Sequence, residues 1–226
     1  MALSQKNLYA LVDCGGSGPD NAGDVAADYF QTRGVSRLDL LILTHLHDDH
    51  ANGVSRLLER MRVEKILLPE EDSALRTEIL KLAEEKSIIV ETVTEDQCIH
   101  TGQAQTLTVY APVEELGETN ERGLAILADG GSFQTLITGD MGATGEENLL
   151  NIANFPQIEV LVTGHHGSAT STTQALLDAV KPEYALISVG EGNLYGHPAQ
   201  ETLERLEAAG AEVYRTDWNG TIEIRK

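Results

Sequence analysis

Histidines and carboxylates crowd into one short stretch of the chain, Thr44-His-Leu-His-Asp-Asp-His50. Three of the seven histidines in the sequence lie here. Imidazole and carboxylate groups are ligands that zinc and manganese accept. In an extended segment His45 and His47 point the same way and can share one metal, whereas Asp49 and His50 then face a second position nearby. The stretch therefore predicts a site for two divalent metal ions, Mn²⁺ or Zn²⁺.

Such a pair of ions has a recognisable chemistry. Two metals about 3.5–4 Å apart hold a hydroxide between them and hydrolyse phosphoesters and related bonds. The alternative is a solvated polar loop without any ligand role. The crowding of three histidines into seven residues argues against that alternative.

The elements on either side place these ligands on a loop. The short apolar run Leu38–Leu43 ends abruptly in polar residues, which predicts a buried strand. The Leu/Arg/Glu pattern of Ala51–Leu58 predicts a helix. The histidines and carboxylates thus lie between a strand and a helix, where loops commonly carry function.

Three later apolar runs also give way to glycine and then to a candidate ligand. Phe133–Thr138 leads to Gly139-Asp140, Val160–Gly164 leads to His165-His166, and Tyr184–Val189 leads to a loop that ends in His197-Pro198. Loops at one edge of a layered α/β fold are where sites are assembled. We expect Asp140 to bridge the two metals, with capping of a helix as its alternative role.

For several residues of these later loops the sequence leaves two roles open. His165 and His166 cannot both point inward along an extended backbone, so one is expected to bind metal and the other to contact substrate or donate a proton; which does which stays open. Ser168 either holds a phosphate oxygen or caps the next helix. Asn193 and His197 are candidates for substrate binding, and His197 also for protonation of the leaving group.

Composition limits the class of protein. The chain has 226 residues, of which 41% are hydrophobic, and no apolar run approaches the ~20 residues that span a bilayer. The net charge of −20 argues against broad nonspecific affinity for nucleic acid. Bound divalent ions reverse the local sign of the field, which still permits a positive mouth on an acidic body. Acidic stretches such as Glu70–Asp72 and Glu114–Glu118 are interpreted as solvated surface.

The two cysteines and one further histidine lie outside these loops. Two cysteines, Cys14 and Cys98, are too few for a disulfide framework. Cys14 follows Asp13 at a strand end; a small buried thiol is the favoured interpretation, and an approach to the metal loop is the alternative. His100 has no ligand-like neighbours and is expected at the surface.

The whole chain alternates short apolar runs with helical patterns, which predicts a single α/β domain over residues 1–226. A β-rich middle between two αβ-type halves indicates two sheets packed face to face with helices outside. Among the predicted elements are a helix capped by Asp24, strand Val63–Leu68, helix Ala74–Lys86, strand Ile88–Thr92, a hairpin at Asp129-Gly-Gly131 and a closing strand at Thr221–Ile224.

The motifs resemble those of a known family. His45, His47, Asp49 and His50 match the H-x-H-x-D-H signature of the metallo-β-lactamase superfamily. Its strand-end Asp, its Gly-Asp and its late His resemble Asp13, Gly139-Asp140 and His165-His166. Within the superfamily, Gly-His-His-Gly-Ser168 and Asn193…Tyr-Gly-His-Pro198 are similar to the hydrolase domains of ComEC-type competence DNA-uptake proteins.

The resemblance implies an αββα four-layer sandwich of two mixed β-sheets with a two-metal site. It implies a nuclease that degrades one strand of incoming DNA, with single-stranded or linear duplex DNA as substrate. The expected metal ligands are His45, His47, Asp49, His50, Asp140 and His165 or His166. Asp13 and Thr44 are expected to orient these ligands from behind, Asp49 also serves catalysis, and His197 or His166 acts on the leaving oxygen.

The resemblance also concerns the surroundings of the chain. Proteins of this type work at the extracytoplasmic face of the cell membrane, so the chain is expected to be a soluble fragment of a larger membrane protein. Its partner is then the membrane channel domain of the same polypeptide, without direct membrane insertion by this chain. The family's opening V-G-Q-G-D strand has no counterpart here, so the fragment is expected to lack its first edge strand.

Two further departures concern the metal site. No well-placed histidine lies between His50 and Asp140, and Asn120-Glu-Arg-Gly123 stands where these domains show N-x-x-S. One metal position is therefore expected to be weaker, which favours an exchangeable ion such as manganese. Two other functions stay open: hydrolysis of a small ester, such as a phosphorylcholine ester or a lactone, and a catalytically idle, metal-stabilised module that binds DNA or a partner.

Overall fold

The computed structural model describes residues 1–5, 8–102, 105–112 and 122–225. The chain divides into two compact units, Met1–Thr94 and Glu95–Lys226, and each is described by itself. Asn120 and the acidic stretch Glu114–Glu118 lie outside the described residues.

The first unit contains a five-stranded sheet in the order β1-β2-β3-β4-β5. The edge pair β1–β2 is antiparallel and the other pairs are parallel, so the sheet is mixed. Its elements are β1 (Ala2–Gln5), β2 (Leu8–Val12), α1 (Ala22–Gln31), β3 (Arg37–Ile42), α2 (Asp48–Ala51), α3 (Val54–Arg60), β4 (Arg62–Pro69), α4 (Ala74–Lys86) and β5 (Ile89–Val93).

The register of this sheet places two loops side by side. Val12, the last residue of β2, pairs with Ile42, the last residue of β3. Because the strands are parallel, the chain leaves both at the same edge of the sheet, and the amide of Asp13 donates to the carbonyl of Ile42 over 2.8 Å. Asp13 therefore lies beside the start of the histidine-rich loop.

Most of the first unit follows the sequence-based predictions. The strand before the metal motif, strands β4 and β5 and helix α4 are confirmed, the last with identical bounds. The predicted helix cap is wrong: Asn21, not Asp24, caps α1, because its side-chain oxygen accepts the amide of Gly23 over 2.9 Å. Strand β1 was not predicted: the chain was expected to lack its first edge strand, yet β1 pairs antiparallel with β2 at the edge of this sheet.

The second unit contains a seven-stranded sheet in the order β12-β11-β10-β9-β8-β7-β6. Strands β6 to β9 pair antiparallel and strands β9 to β12 pair parallel, so this sheet is also mixed. Its elements are β6 (Gln97–Gly102), β7 (Gln105–Tyr110), β8 (Ala125–Asp129), β9 (Gln134–Ile137), α5 (Ala143–Ile152), β10 (Val160–Val162), α6 (Gln174–Val180), β11 (Tyr184–Ile187), α7 (Gln200–Ala208), β12 (Glu212–Arg215) and α8 (Thr216–Asn219).

The hairpin predicted at Asp129-Gly-Gly131 is confirmed, because β8 and β9 pair antiparallel across it. The closing strand predicted at Thr221–Ile224 is wrong. The chain turns through α8 directly after β12, Gly220 then adopts a φ of 63°, and residues 221–224 form no strand. Strand β6 was not predicted.

Each sheet buries an apolar face under helices. In the first unit Phe30 of α1, Leu57 of α3 and Ile79 of α4 pack with the strand side chains. In the second unit Leu177 of α6 and Leu206 of α7 do the same. The predicted fold class, two mixed β-sheets flanked by helices, is confirmed. In the described part of the chain, no helix has the length and apolar character needed to cross a bilayer.

Candidate metal centre

The loop between β3 and α2 gathers the three histidines of the first unit. The ring centroid of His45 lies 4.0 Å from that of His50 and 4.6 Å from that of His47. His45 and His50 are buried and His47 is exposed, while Asp49 is half-buried on the first turn of α2. The short strand exit followed by a helix start therefore packs three imidazoles together, open to solvent on the side of His47.

Asp13 and Thr44 hold this cluster from behind. The Asp13 carboxylate accepts three groups: the amide of Thr44 over 2.7 Å, the hydroxyl of Thr44 over 2.8 Å and Nδ1 of His50 over 2.8 Å. The Thr44 hydroxyl also lies 3.2 Å from Nδ1 of His45. Because that hydroxyl donates its single hydrogen to Asp13, it accepts from Nδ1 of His45.

This network fixes the tautomers of two buried histidines. With Nδ1 donating in His45 and in His50, each ring carries its lone pair on Nε2. In metal-binding histidines the other ring N–H commonly donates a hydrogen bond to a carboxylate or a similar acceptor, which fixes the ring orientation and raises the basicity of the ligand nitrogen. The donor set of this loop thus fits a divalent ion.

The glycine-rich turn after β2 packs tightly against the same loop. A Cβ on Gly15 would lie 2.4 Å from the backbone of His50, so only glycine allows this approach. The amide of Cys14 donates to the carbonyl of His50 over 2.7 Å, and burial raises the pKa of the Cys14 thiol to about 12. Cys14 is therefore a buried thiol, as the favoured interpretation held.

One residue of this loop's surroundings was missed by sequence reasoning. Glu71 belongs to an acidic stretch that was interpreted as solvated surface, yet its carboxylate is half-buried and accepts the amide of Leu46 over 3.1 Å. Leu46 stands between His45 and His47, so Glu71 tethers the histidine loop. A contact between residues 25 positions apart has no local sequence signal.

In the second unit, Asp140 meets both histidines of the 3-10 turn Gly164–Gly167. Nε2 of His165 lies 3.7 Å from Oδ2 of Asp140, and Nε2 of His166 lies 3.8 Å from Oδ1. His165 and His166 have φ values of 49° and 54°, in the left-handed region that non-glycine residues seldom adopt. The premise of an extended backbone therefore does not hold, and both rings face the same carboxylate.

The spacing of these atoms fits an ion between them. Two ligand atoms bound to one zinc or manganese ion at about 2.0–2.1 Å lie about 3.3 Å apart in a tetrahedral arrangement and up to about 4 Å apart at wider angles. The separations at Asp140 are longer than hydrogen bonds and fall inside that range. Nδ1 of His166 donates to the carbonyl of Ser188 over 2.8 Å, which leaves Nε2 as its lone-pair nitrogen.

The histidine turn is held by two buried or half-buried charges that sequence reasoning missed. Glu146, on α5, accepts the amides of Thr172 and Thr173 over 2.5 and 2.8 Å. Arg205, on α7, donates to the carbonyls of residues 169, 171 and 172. The Thr172 hydroxyl in turn accepts the amide of Gly164 over 3.1 Å. These bonds fix the segment that carries His165 and His166.

The loop after β11 brings His197 to the same turn. The His197 ring lies 5.6 Å from that of His165, and the amide of Ala199 donates to the carbonyl of Gly167 over 2.9 Å. Burial, reinforced by His165 and His166, lowers the pKa of His197 below its usual value, so this ring is neutral at pH ~7.

Asn193 and Ser168 are engaged within the protein. The Asn193 amide nitrogen donates to the carbonyls of Gly190 and His197, and its oxygen accepts the amide of His197, so Asn193 shapes the loop. Ser168 is buried, with its hydroxyl 3.1 Å from that of Thr170. The helix-cap alternative for Ser168 is wrong, because Thr173 caps α6.

Two other sequence predictions concern His100 and the helix-capping alternative for Asp140. His100 is exposed on β6, as expected. Asp140 lies in the turn after β9, three residues before α5, and Gly142 is the residue that precedes that helix. The helix-capping alternative for Asp140 therefore does not apply.

Imidazoles with fixed tautomers, and a carboxylate that faces two further imidazoles, on strand-end loops of mixed sheets are ligand sets typical of a metal-dependent hydrolase of the α/β class. The family model described as "Metallo-beta-lactamase superfamily" matches residues 3–191. The chain belongs to this superfamily.

The chain is similar to curated relatives, one of which is named a competence protein. The chain is 31% identical over 203 residues to "ComE operon protein 3" of Bacillus subtilis (strain 168), covering 89% of this chain and 26% of the relative. It is 43% identical over 60 residues to "Competence protein ComA" of Neisseria gonorrhoeae, covering 26% of this chain and 9% of that protein. The chain therefore spans about a quarter, or less, of the length of these relatives.

A solved structure shares the fold. The metallo-β-lactamase fold protein YhfI from Bacillus subtilis has a TM-score of 0.62 at 14% sequence identity, with 95% of this chain and 86% of that chain covered. At this identity the likeness concerns the fold alone.

Proposed function

We propose that this chain is a metal-dependent phosphodiesterase that degrades DNA, one strand of incoming DNA during competence uptake. The observation that carries the proposal is the set of fixed tautomers. In three histidines Nδ1 donates a hydrogen bond: His45 to the Thr44 hydroxyl, His50 to the Asp13 carboxylate and His166 to the Ser188 carbonyl. This leaves Nε2 of each ring as a ligand nitrogen. Membership in the superfamily supports a hydrolytic use of these ligands.

The ligand set follows the family motif. His45, His47, Asp49 and His50 from the first unit and Asp140, His165 and His166 from the second are proposed to hold two divalent ions, Mn²⁺ or Zn²⁺. Such ions, when bound, polarise phosphoryl oxygens and make water acidic enough to attack near neutral pH. Asp140 is proposed as the ligand shared by both ions.

The protein's own groups have separate tasks. Asp13 and Thr44 keep the imidazoles of His45 and His50 in ligand orientation, and Ser188 does so for His166. His197, neutral at pH ~7, is suited to donate a hydrogen bond to the leaving oxygen rather than a full proton. Glu146 and Arg205 keep the histidine turn rigid, which preserves the alignment of ligands.

The motifs that resemble ComEC-type domains support DNA as the substrate and the membrane as the setting, and the name of one relative supports a link to competence. Because one relative is a competence protein, we propose that the chain acts on DNA in the same process. The chain spans a small part of these relatives, which supports a place within a larger protein. From the ComEC-type motifs we propose that this is a membrane protein, with the chain at its extracytoplasmic face and next to a channel domain.

The test is cleavage of linear DNA by the purified chain with Mn²⁺, Zn²⁺ or a chelator. We expect degradation that requires metal and is abolished in Asp140→Ala and in the isosteric Asp140→Asn. His100→Ala, a histidine exposed on β6, is the matched control and is expected to cleave as the wild type does. Full cleavage by both Asp140 variants would refute the assignment, provided that their circular dichroism spectra match the wild type.

Hydrolysis of a small ester is the second candidate, favoured by the net charge of −20. It predicts turnover of small phosphodiesters or lactones while DNA stays intact under every metal condition. An idle binding module predicts metal binding and DNA binding without any product.

A further inference from the structure

Two large apolar side chains stand in solvent on the loop that carries His197. Leu194 is 98% exposed and Tyr195 is 81% exposed. Burying such groups is favourable, and isolated exposed hydrophobic residues are ordinary on protein surfaces. These two are adjacent, however, and they lie two to three residues from a histidine of the candidate centre.

The loop that presents them is internally braced. Asn193 makes three hydrogen bonds within it, two of them to the backbone of His197. Gly167 leaves no room for a Cβ beside Pro198, where the contact would be 2.6 Å, so the loop sits directly on the histidine turn. A braced loop holds an aromatic ring in place at little further cost in conformational entropy.

A line of rings leads from solvent to Asp140. The Tyr195 ring is nearly parallel to that of His197, with an interplanar angle of 14° and centroids 6.0 Å apart. His197 contacts His165 edge to face, and His165 faces the Asp140 carboxylate. The Tyr195 ring thus lies two ring contacts from His165, one of the proposed ligands.

Charge explains why an aromatic contact would matter here. The chain carries 36 acidic and 16 basic residues, and the loop itself contains Glu191 and no lysine or arginine. Phosphate contacts by basic side chains are the usual basis of nucleic-acid affinity, and this loop offers none. Stacking of a base on an aromatic ring needs no positive charge and accepts any base.

We propose that Tyr195 is a stacking platform for an unpaired nucleobase next to the phosphate that is cleaved, which makes the preferred substrate a single strand. This inference rests on the proposed function and adds the substrate class. In duplex DNA the bases stack on one another and pair, so the Tyr195 face would gain a partner only at a frayed end or in a single strand.

The test compares two substrates in the full chain with Mn²⁺. One is a 20-nucleotide thymidine strand, and the other is a strand of equal length whose residues are abasic. Wild type is expected to show a KM about five- to a hundredfold lower for the thymidine strand, the range that base–aromatic stacking gives. Tyr195→Ala is expected to lose this preference and Tyr195→Trp to keep it, because indole also stacks.

The matched control is Trp218→Ala, which removes an aromatic side chain that is 75% exposed elsewhere in the second unit. It is expected to leave the preference intact. The inference is overturned if Tyr195→Ala keeps the preference for bases, or if its KM rises equally for both strands, since the ring would then act on the loop and not on bases.

A binding measurement separates this inference from the proposed function. Fluorescence anisotropy of a labelled thymidine strand in Ca²⁺ reports binding without requiring turnover. If wild type binds the strand more tightly than Tyr195→Ala but cleaves neither DNA nor a small phosphodiester, the stacking role stands and the nuclease proposal fails. If wild type cleaves DNA and the two proteins bind equally, the nuclease proposal stands and the stacking role fails.

Discussion

The loss of unfolding free energy on removal of the Glu146 side chain follows from the hydrogen bonds that it accepts. Its side chain is fully buried on α5, and its two oxygens accept the amides of Thr172 and Thr173. Thr172 has a φ of 53° and accepts the amide of Gly164 through its hydroxyl. The carboxylate therefore holds the segment that ends the histidine turn.

The magnitude follows from the number of bonds lost. A buried amide left without an acceptor costs about 1–3 kcal/mol, so Glu146→Ala is expected to lose about 2–5 kcal/mol of unfolding free energy. In a chain of this length that lowers the Tm by about 5–15 °C. Glu146→Gln keeps one acceptor oxygen and is expected to lose about 1–3 kcal/mol.

The effect of Glu146 depends on pH with a definite sign. Burial is the main cause that raises the pKa of Glu146 above 4.5, so the folded state holds this proton more tightly than the unfolded state. The contribution of the side chain is largest below pH ~4.5 and declines as pH rises through the raised pKa. The deficit of Glu146→Gln relative to wild type is therefore expected to shrink from pH 4 to pH 8.

The assay is urea denaturation followed by circular dichroism across that pH range. Glu147→Gln is the matched control, because Glu147 is the exposed neighbour on the same helix. A Glu146→Ala protein within 0.5 kcal/mol of the control would refute the bracing role, 0.5 kcal/mol being about the usual limit for surface changes. A deficit of Glu146→Gln that grows with pH would refute the assignment of the raised pKa.

Two further predictions concern the affinity for metal and the exposure of the two thiols. Asp13→Asn offers His50 an amide in place of a carboxylate, so we expect Mn²⁺ binding, measured by calorimetric titration, to be about 10–100-fold weaker. Asp20→Asn changes an exposed residue and is expected to bind Mn²⁺ as the wild type does. Equal affinities of the two variants would contradict the orienting role of Asp13. Cys98 is exposed, whereas Cys14 is buried with a pKa of about 12. One thiol per folded chain should therefore react with Ellman's reagent at pH 8, and two should react in urea. Rapid reaction of both thiols in the folded chain would contradict the burial of Cys14.

Local signals made much of the site predictable. The apolar run of β3 and the ligand types of His45, His47 and Asp49 stand next to one another in sequence, and the strand-to-loop placement is confirmed. Asp13 and Asp140 each follow a strand end, which is also a local signal. The pattern of apolar runs predicted two sheets with helices outside, and the family resemblance added that both sheets are mixed.

The contacts that support the site could not be predicted from local sequence signals. Glu71, Glu146 and Arg205 act on backbone groups 25 to 36 residues away, and nothing near them in sequence marks the partner. The left-handed backbone at His165 and His166 likewise has no sequence signal, because non-glycine residues seldom adopt it.

We propose that bound metal ions make this chain a DNA hydrolase. The most direct measurement is the cleavage rate of one end-labelled DNA strand by the same preparation before chelation, after removal of metal, and after Mn²⁺ is restored. We expect cleavage to be lost with the metal and to return with it. DNA that stays intact in all three states, or a cleavage rate that does not change on chelation, would contradict a metal-dependent nuclease.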